Sequence, residues 1–106
     1  MTTYHFVAAS EPFLTEEEPL EEVLRERVRH YGEQGRTIDF WLVRRPAFLE
    51  APELAPLAAT VPRPAAAVVS TDPRFITFLK LRLEFVATGS FEAPGATVPD
   101  PLASLG

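Results

Sequence analysis

Thr37-Ile38-Asp39-Phe40-Trp41-Leu42-Val43 reads as the strand around which the chain is organised. β-Branched and aromatic residues dominate it, the composition that favours a pleated, half-buried surface. With a period of two, Ile38, Phe40 and Leu42 share one side and Asp39, Trp41 and Val43 the other. Both sides are largely apolar, so one takes the core and the other needs a cover, either more of this chain or a partner. Asp39 breaks the second side next to a tryptophan. A carboxylate there pairs with a cation or faces water.

Upstream of that strand, Leu20, Val23, Leu24, Val28 and Tyr31 recur at helical spacing. Thr15 with Glu18 resembles a capping box, and Glu18 followed by Pro19 is an equally good start. Glu21 and Arg25 are placed to pair on the wet side of this helix. Its early glutamates and late Arg27, Arg29 and His30 suit the helix dipole. Gly32 or Gly35 ends it. Further back, Thr3–Ala9 reads as the first strand, with Tyr4, Phe6 and Ala8 opposite His5, Val7 and Ala9.

Downstream, Arg44-Arg45-Pro46 stops the central strand. The segment 47–59 is short-patterned and broken by Pro52 and Pro56, which predicts one or two helical turns on the surface. Ala65–Ser70 is predicted as an interior strand whose small side chains let a helix approach. Asp72-Pro73 is the strongest local signal, a helix cap followed by a residue suited to the first turn. Phe75, Ile76, Phe78, Leu79 and Leu83 then repeat at helical spacing. Near Leu83 the period changes to two, and Gly89 closes or bulges a fourth strand. Residues 91–106 read as extended.

The order β-α-β-(short helices)-β-α-β predicts an α+β fold. Its four-stranded antiparallel sheet has both main helices on one face, a ferredoxin-like candidate with the other face relatively open. Residues 1–92 are taken as the compact domain and 93–106 as a proline-rich tail. An open face carrying Trp41 would need a partner or a second copy, so a homodimer is one expectation.

Composition removes several function classes. The chain has 106 residues and no cysteine, so disulfides, thiolate metal sites and cysteine nucleophiles are excluded. A net charge of −5, with acids gathered in Glu16–Glu26, argues against nucleic acid. No window is apolar enough to span a membrane. The early first strand leaves no room for a signal or transit segment. His5 and His30 lie in different elements, which gives no metal-ligand spacing. The glutamate run reads as a solvated face, and the glycines are too scattered for a phosphate loop. What is left is a charged and aromatic set, Asp39, Phe40, Trp41 and Arg82. Its plain reading is an Asp39–Arg82 ion pair beside core aromatics. Its sharper reading is a recognition patch, because arginine and aromatics concentrate interface energy.

Several strings carry a resemblance along nearly the whole chain. They are Ile38-Asp39-Phe40-Trp41-Leu42-Val43, Pro46-Ala47-Phe48-Leu49-Glu50-Ala51-Pro52-Glu53-Leu54, Ser70-Thr71-Asp72-Pro73 with Phe75-Ile76, and Leu79-Lys80-Leu81-Arg82-Leu83-Glu84. Phe91-Glu92-Ala93-Pro94 and Pro99-Asp100-Pro101-Leu102-Ala103-Ser104-Leu105 join them. Together they resemble a cyanobacterial and plastid family, the accessory proteins of the aerobic magnesium-protoporphyrin IX monomethyl ester oxidative cyclase. Phe78 and Phe85 depart from its pattern by aromatic exchange. The resemblance implies a non-catalytic protein without cofactor, serving the di-iron catalytic subunit in chlorophyll biosynthesis. It further implies a partner-binding patch at Asp39, Phe40 and Arg82. The expected location is the cytoplasm or the thylakoid surface through the partner, or the stroma for a plastid-encoded member. A rival expectation is a carrier of a tetrapyrrole intermediate, with Arg82 meeting a porphyrin carboxylate.

Overall fold

The computed structural model describes residues 1–106. Strands β1 (Thr2–Ser10), β2 (Phe40–Arg44), β3 (Ala65–Ser70) and β4 (Ala87–Ala93) form one open antiparallel sheet in the order β2-β3-β1-β4. Val7 of β1 lies between Val68 of β3 and Thr88 of β4, which fixes the register. β3 is buried along its whole length, as its run of alanines and valines predicts.

The period-two readings hold for β1 and β2, and β3 alternates in the same way. Val7, Ala9, Phe40, Ala66 and Val68 face one apolar layer, while Phe6, Ala8, Val43, Ala67 and Val69 face another. Helices α1 (Leu20–Gln34) and α3 (Pro73–Leu83) cover the first layer through Leu20, Leu24 and Tyr31, and through Phe75, Ile76, Leu79 and Leu83. Asp72 caps α3, its carboxylate accepting from the Arg74 amide at 2.9 Å. Such a cap is worth about 1 kcal/mol. Gly35 ends α1 in the left-handed region at φ 66°, where a side chain would be strained.

Four expectations need correction. First, the second sheet face is not open. Single turns at Ala47–Glu50 and Pro52–Leu54, and the short α2 (Ala55–Ala58), lie over it and bury Phe48, Leu49 and Leu54. Segment 93–106 also packs there: Val98 is buried, Ala47 N–H donates to Ala103 O at 2.9 Å, and Leu105 N–H to Arg45 O at 2.8 Å. Beyond β4 this strap is not extended as expected but bends at residues 94–97 and turns at 101–102, and prolines hid it in the sequence because such an irregular path leaves no helical or strand period to read. Second, Gly89 sits inside β4 opposite Phe6. A Cβ there would come within 2.9 Å of the Phe6 ring, so the glycine marks a close approach rather than a strand end. Third, Thr15 does not cap α1. It lies in a single π-turn, Phe13–Glu17, with its hydroxyl donating to Glu11 O, and α1 starts after Pro19. Fourth, Glu21 pairs with Arg44 of β2 instead of Arg25.

Candidate docking site

Asp39 immediately precedes β2, so strand alternation does not aim its side chain. The Tyr31 hydroxyl donates to the Asp39 carboxylate at 2.9 Å, and Arg27 Nη2 donates to the same hydroxyl at 3.0 Å. Tyr31 is buried, and the Arg36 guanidinium lies 4.1 Å over its ring. The Arg27 guanidinium lies 3.8 Å over Phe75, and 5.1 and 5.2 Å from the Tyr31 and Phe40 ring centres. Phe40 meets Tyr31 edge-on at 5.1 Å and Phe75 at 5.7 Å. One guanidinium therefore joins α1, β2 and α3 through three aromatic rings and, by way of a phenol, a carboxylate.

Asp39 and Phe40 thus belong to one cluster, but Arg82 is not in it. The peptide of Asp39 accepts from Thr71 N–H at 3.1 Å, which places it at the N-terminal end of α3. Arg82 is on the last turn, roughly 14 Å along the axis at 1.5 Å per residue. No Asp39–Arg82 ion pair forms among the six in the chain. Phe40, expected to offer a partner an apolar contact, is only 2% exposed and is core. Arg27 is the residue that sequence reasoning missed. Its late place in α1 suits the helix dipole, yet it stands three residues after Leu24 and four before Tyr31, on the apolar stripe itself.

The Asp72 carboxyl borders the same cluster. Burial raises its pKa, but the Arg74 amide and guanidinium, together with the Arg27 charge, outweigh that and hold it below the ordinary 3.8.

The outer side of α3 carries the apolar surface. Phe78, Leu81 and Phe85 are 53%, 74% and 83% exposed, and Phe78 stacks on Phe75 at 6.4 Å. Arg82 follows Phe78 by one helical turn, and Lys80 is on the opposite flank of α3 beside Thr77 and Ser90; neither has an ion-pair partner. Just past the helix Glu84 adopts φ 60°, ψ −61°, and Phe85 N–H donates to Leu83 O at 2.7 Å. This is the rare positive-φ γ-turn, a strained conformation for a residue with a side chain. No group of three or more His, Asp or Glu side chains converges as a metal site would require, and no helix is long and apolar enough to cross a membrane.

Comparison with known proteins places this arrangement. Residues 2–93 match the family model described as Ycf54 protein. A Ycf54-like protein of Synechocystis sp. is 59% identical over 99% of this chain and 79% of its own length. A ycf54 protein of Pyropia yezoensis is 51% identical over 87% of this chain and 83% of its own. A solved structure of the Synechocystis Ycf54 protein, 57% identical, superposes with a TM-score of 0.97 over 100% of this chain and 99% of that one. A Nostoc protein, All0216, superposes at 0.95 with 63% identity, over 99% of this chain and 97% of its own. Sequence match along both chains and a shared backbone agree, and the chain belongs to the Ycf54 protein family.

Proposed function

We propose that this protein docks on the di-iron catalytic subunit of the aerobic magnesium-protoporphyrin IX monomethyl ester cyclase and does no bond-making of its own. The Ycf54 family comprises accessory proteins associated with that cyclase. The observation that carries the docking reading is the outer side of α3 and the turn after it, where Phe78, Leu81 and Phe85 are exposed beside the unpaired Arg82. Large exposed side chains of this kind usually meet a partner. Arg82 supplies a directional cation to that contact. Asp39 and Phe40 act from behind it, through Tyr31 and Arg27, by fixing α3 against α1 and β2.

The proposed location follows the partner: cytoplasm or thylakoid surface in a cyanobacterium, stroma in a plastid. The fold is read as ferredoxin-like on its strand order and its two helices over one face.

Capture of the catalytic subunit by the tagged protein tests this reading. Arg82→Ala should lower capture about tenfold with an unchanged melting temperature, the behaviour of an interface residue outside the core. Full capture by a combined Arg82→Ala and Leu81→Ala variant would overturn the α3 assignment. Sedimentation at several concentrations tests the homodimer, which would compete for the same surface.

A further inference from the structure

Beside the α3 surface lies a second feature that Asp39, Phe40 and Arg82 do not touch. β1 stays paired with β3 as far as Ser10, but its pairing with β4 begins only at Ala8 opposite Ala87. The chain leaves α3 through the Glu84 γ-turn and rejoins the sheet late. The end of β1 therefore lacks a neighbour on the β4 side. An open cleft of about 410 Å³ occupies that gap.

Its character is specific. Ala9 and Ser10 at the end of β1, Phe13, Val61, Pro62 and the largely exposed Phe85 line it. The charged groups that line it are Glu17 and Glu84, both exposed and neither in an ion pair; no lysine or arginine is among the lining residues. The α3 surface on the other side of the Glu84 turn has the opposite sign, with the unpaired Arg82. A slot of mixed apolar and polar lining at an interrupted sheet edge accepts extended chain, whose side chains alternate into it. Two unpaired carboxylates select a basic flank and repel an acidic one. They also oppose a free propionate, so the cleft does not suit the tetrapyrrole ester.

We propose that the cleft between the ends of β1 and β4 receives an extended segment of the docked partner protein, one large apolar side chain flanked by lysine or arginine. The proposal rests on the docking reading above and adds a second contact of opposite charge. The partner meets α3 with an acidic or neutral element and passes a basic apolar segment over Phe85 into the cleft. Phe85 belongs to both contacts, and the strained turn at Glu84 sets its position between them.

Capture of the catalytic subunit by four forms of the full chain separates the two ideas. The wild type and Arg82→Ala report on docking as such. A Glu17→Lys, Glu84→Lys double variant reverses the charge of the cleft, and Thr60→Trp fills it from an exposed position on its wall. Both cleft variants should lose capture about tenfold while keeping wild-type melting, and the loss in the charge variant should shrink at high salt. A photo-cross-link from Phe85→p-benzoylphenylalanine should land within a few residues of a lysine or arginine in the partner. Docking itself fails if the wild type captures nothing. The cleft proposal alone fails if the wild type captures the subunit and both cleft variants do so equally well. It also fails if the porphyrin monomethyl ester shifts the amide resonances of Ala9, Ser10 and Val86, since a small-molecule site would then occupy the same space.

Discussion

Removing the Tyr31 hydroxyl is the sharpest perturbation available to the Arg27–Tyr31–Asp39 cluster. Tyr31→Phe keeps the ring, its edge contact with Phe40 and its stacking under Arg36, and deletes one oxygen. That oxygen donates to a carboxylate and accepts from a guanidinium. A hydrogen bond to a charged group contributes ~1.5–3 kcal/mol when its loss strands the partner. Asp39 is only half-buried and regains water, whereas Arg27 Nε is already buried without a partner. The lower part of the range applies, so Tyr31→Phe should cost ~2 kcal/mol and Asp39→Ala ~1 kcal/mol. Because the two side chains share one bond, the double variant should fall short of the sum by ~1 kcal/mol. Urea unfolding of the four proteins reads this directly, with an unchanged m-value showing that the unfolded state is not the source. Strict additivity within ~0.3 kcal/mol would refute the relay and leave the geometry as mere proximity.

Three other outcomes follow from the same geometry. Phe40→Ala should cost ~3–5 kcal/mol, as for a buried aromatic, so any loss of partner capture must come with a large fall in melting temperature; an unchanged melt would contradict its core placement. Glu84→Gly should raise stability by ~1 kcal/mol in thermal unfolding by relieving the positive-φ turn, and a loss of stability would show that the Glu84 side chain earns more than the strain costs. Asp72→Ala should cost ~1 kcal/mol at neutral pH. The folded-state pKa of Asp72 is depressed, so its contribution is complete above the unfolded value and fades as pH falls through and below 3.8; wild type and variant should therefore converge in acid unfolding.

Most of the helical side of this protein was legible because its signals are local. Asp72-Pro73 fixes a helix start by its own chemistry, and Leu20, Leu24 and Tyr31 mark a stripe without reference to anything distant. The strap over the other face was not legible. Val98 and Leu102 are ordinary apolar residues among prolines, and only the folded sheet gives them something to cover. The site shows the same division. Asp39 is recognisable in the sequence as a carboxylate in apolar surroundings, but it is met by the Tyr31 hydroxyl rather than by a cation directly, with Arg27 behind that hydroxyl. Which cation supplies the charge depends on how α1 lies across β2, a tertiary fact. Arg82 is singled out in the sequence because arginine concentrates interface energy, which says nothing of where its helix position points; the leucines on either side of it divide between core and solvent. Leu83 is buried and Leu81 is 74% exposed. Arg27 held the decisive place because a long side chain on an apolar stripe can lay its stem and planar head along aromatic rings.

The alanines and valines of β3 have an effect reaching past packing. From Ala65 to Val69 each residue of that strand belongs to a single layer, Ala66 and Val68 to the helices, Ala65, Ala67 and Val69 to the strap. The strand therefore works as a party wall whose two sides are furnished separately. An added methyl at Ala66 would press on the floor beneath α1 and α3, whereas the same methyl at Ala67 would press on the strap and leave the helices where they stand. Mutational drift can then adjust the packing under the helices and the packing under the strap as two independent problems.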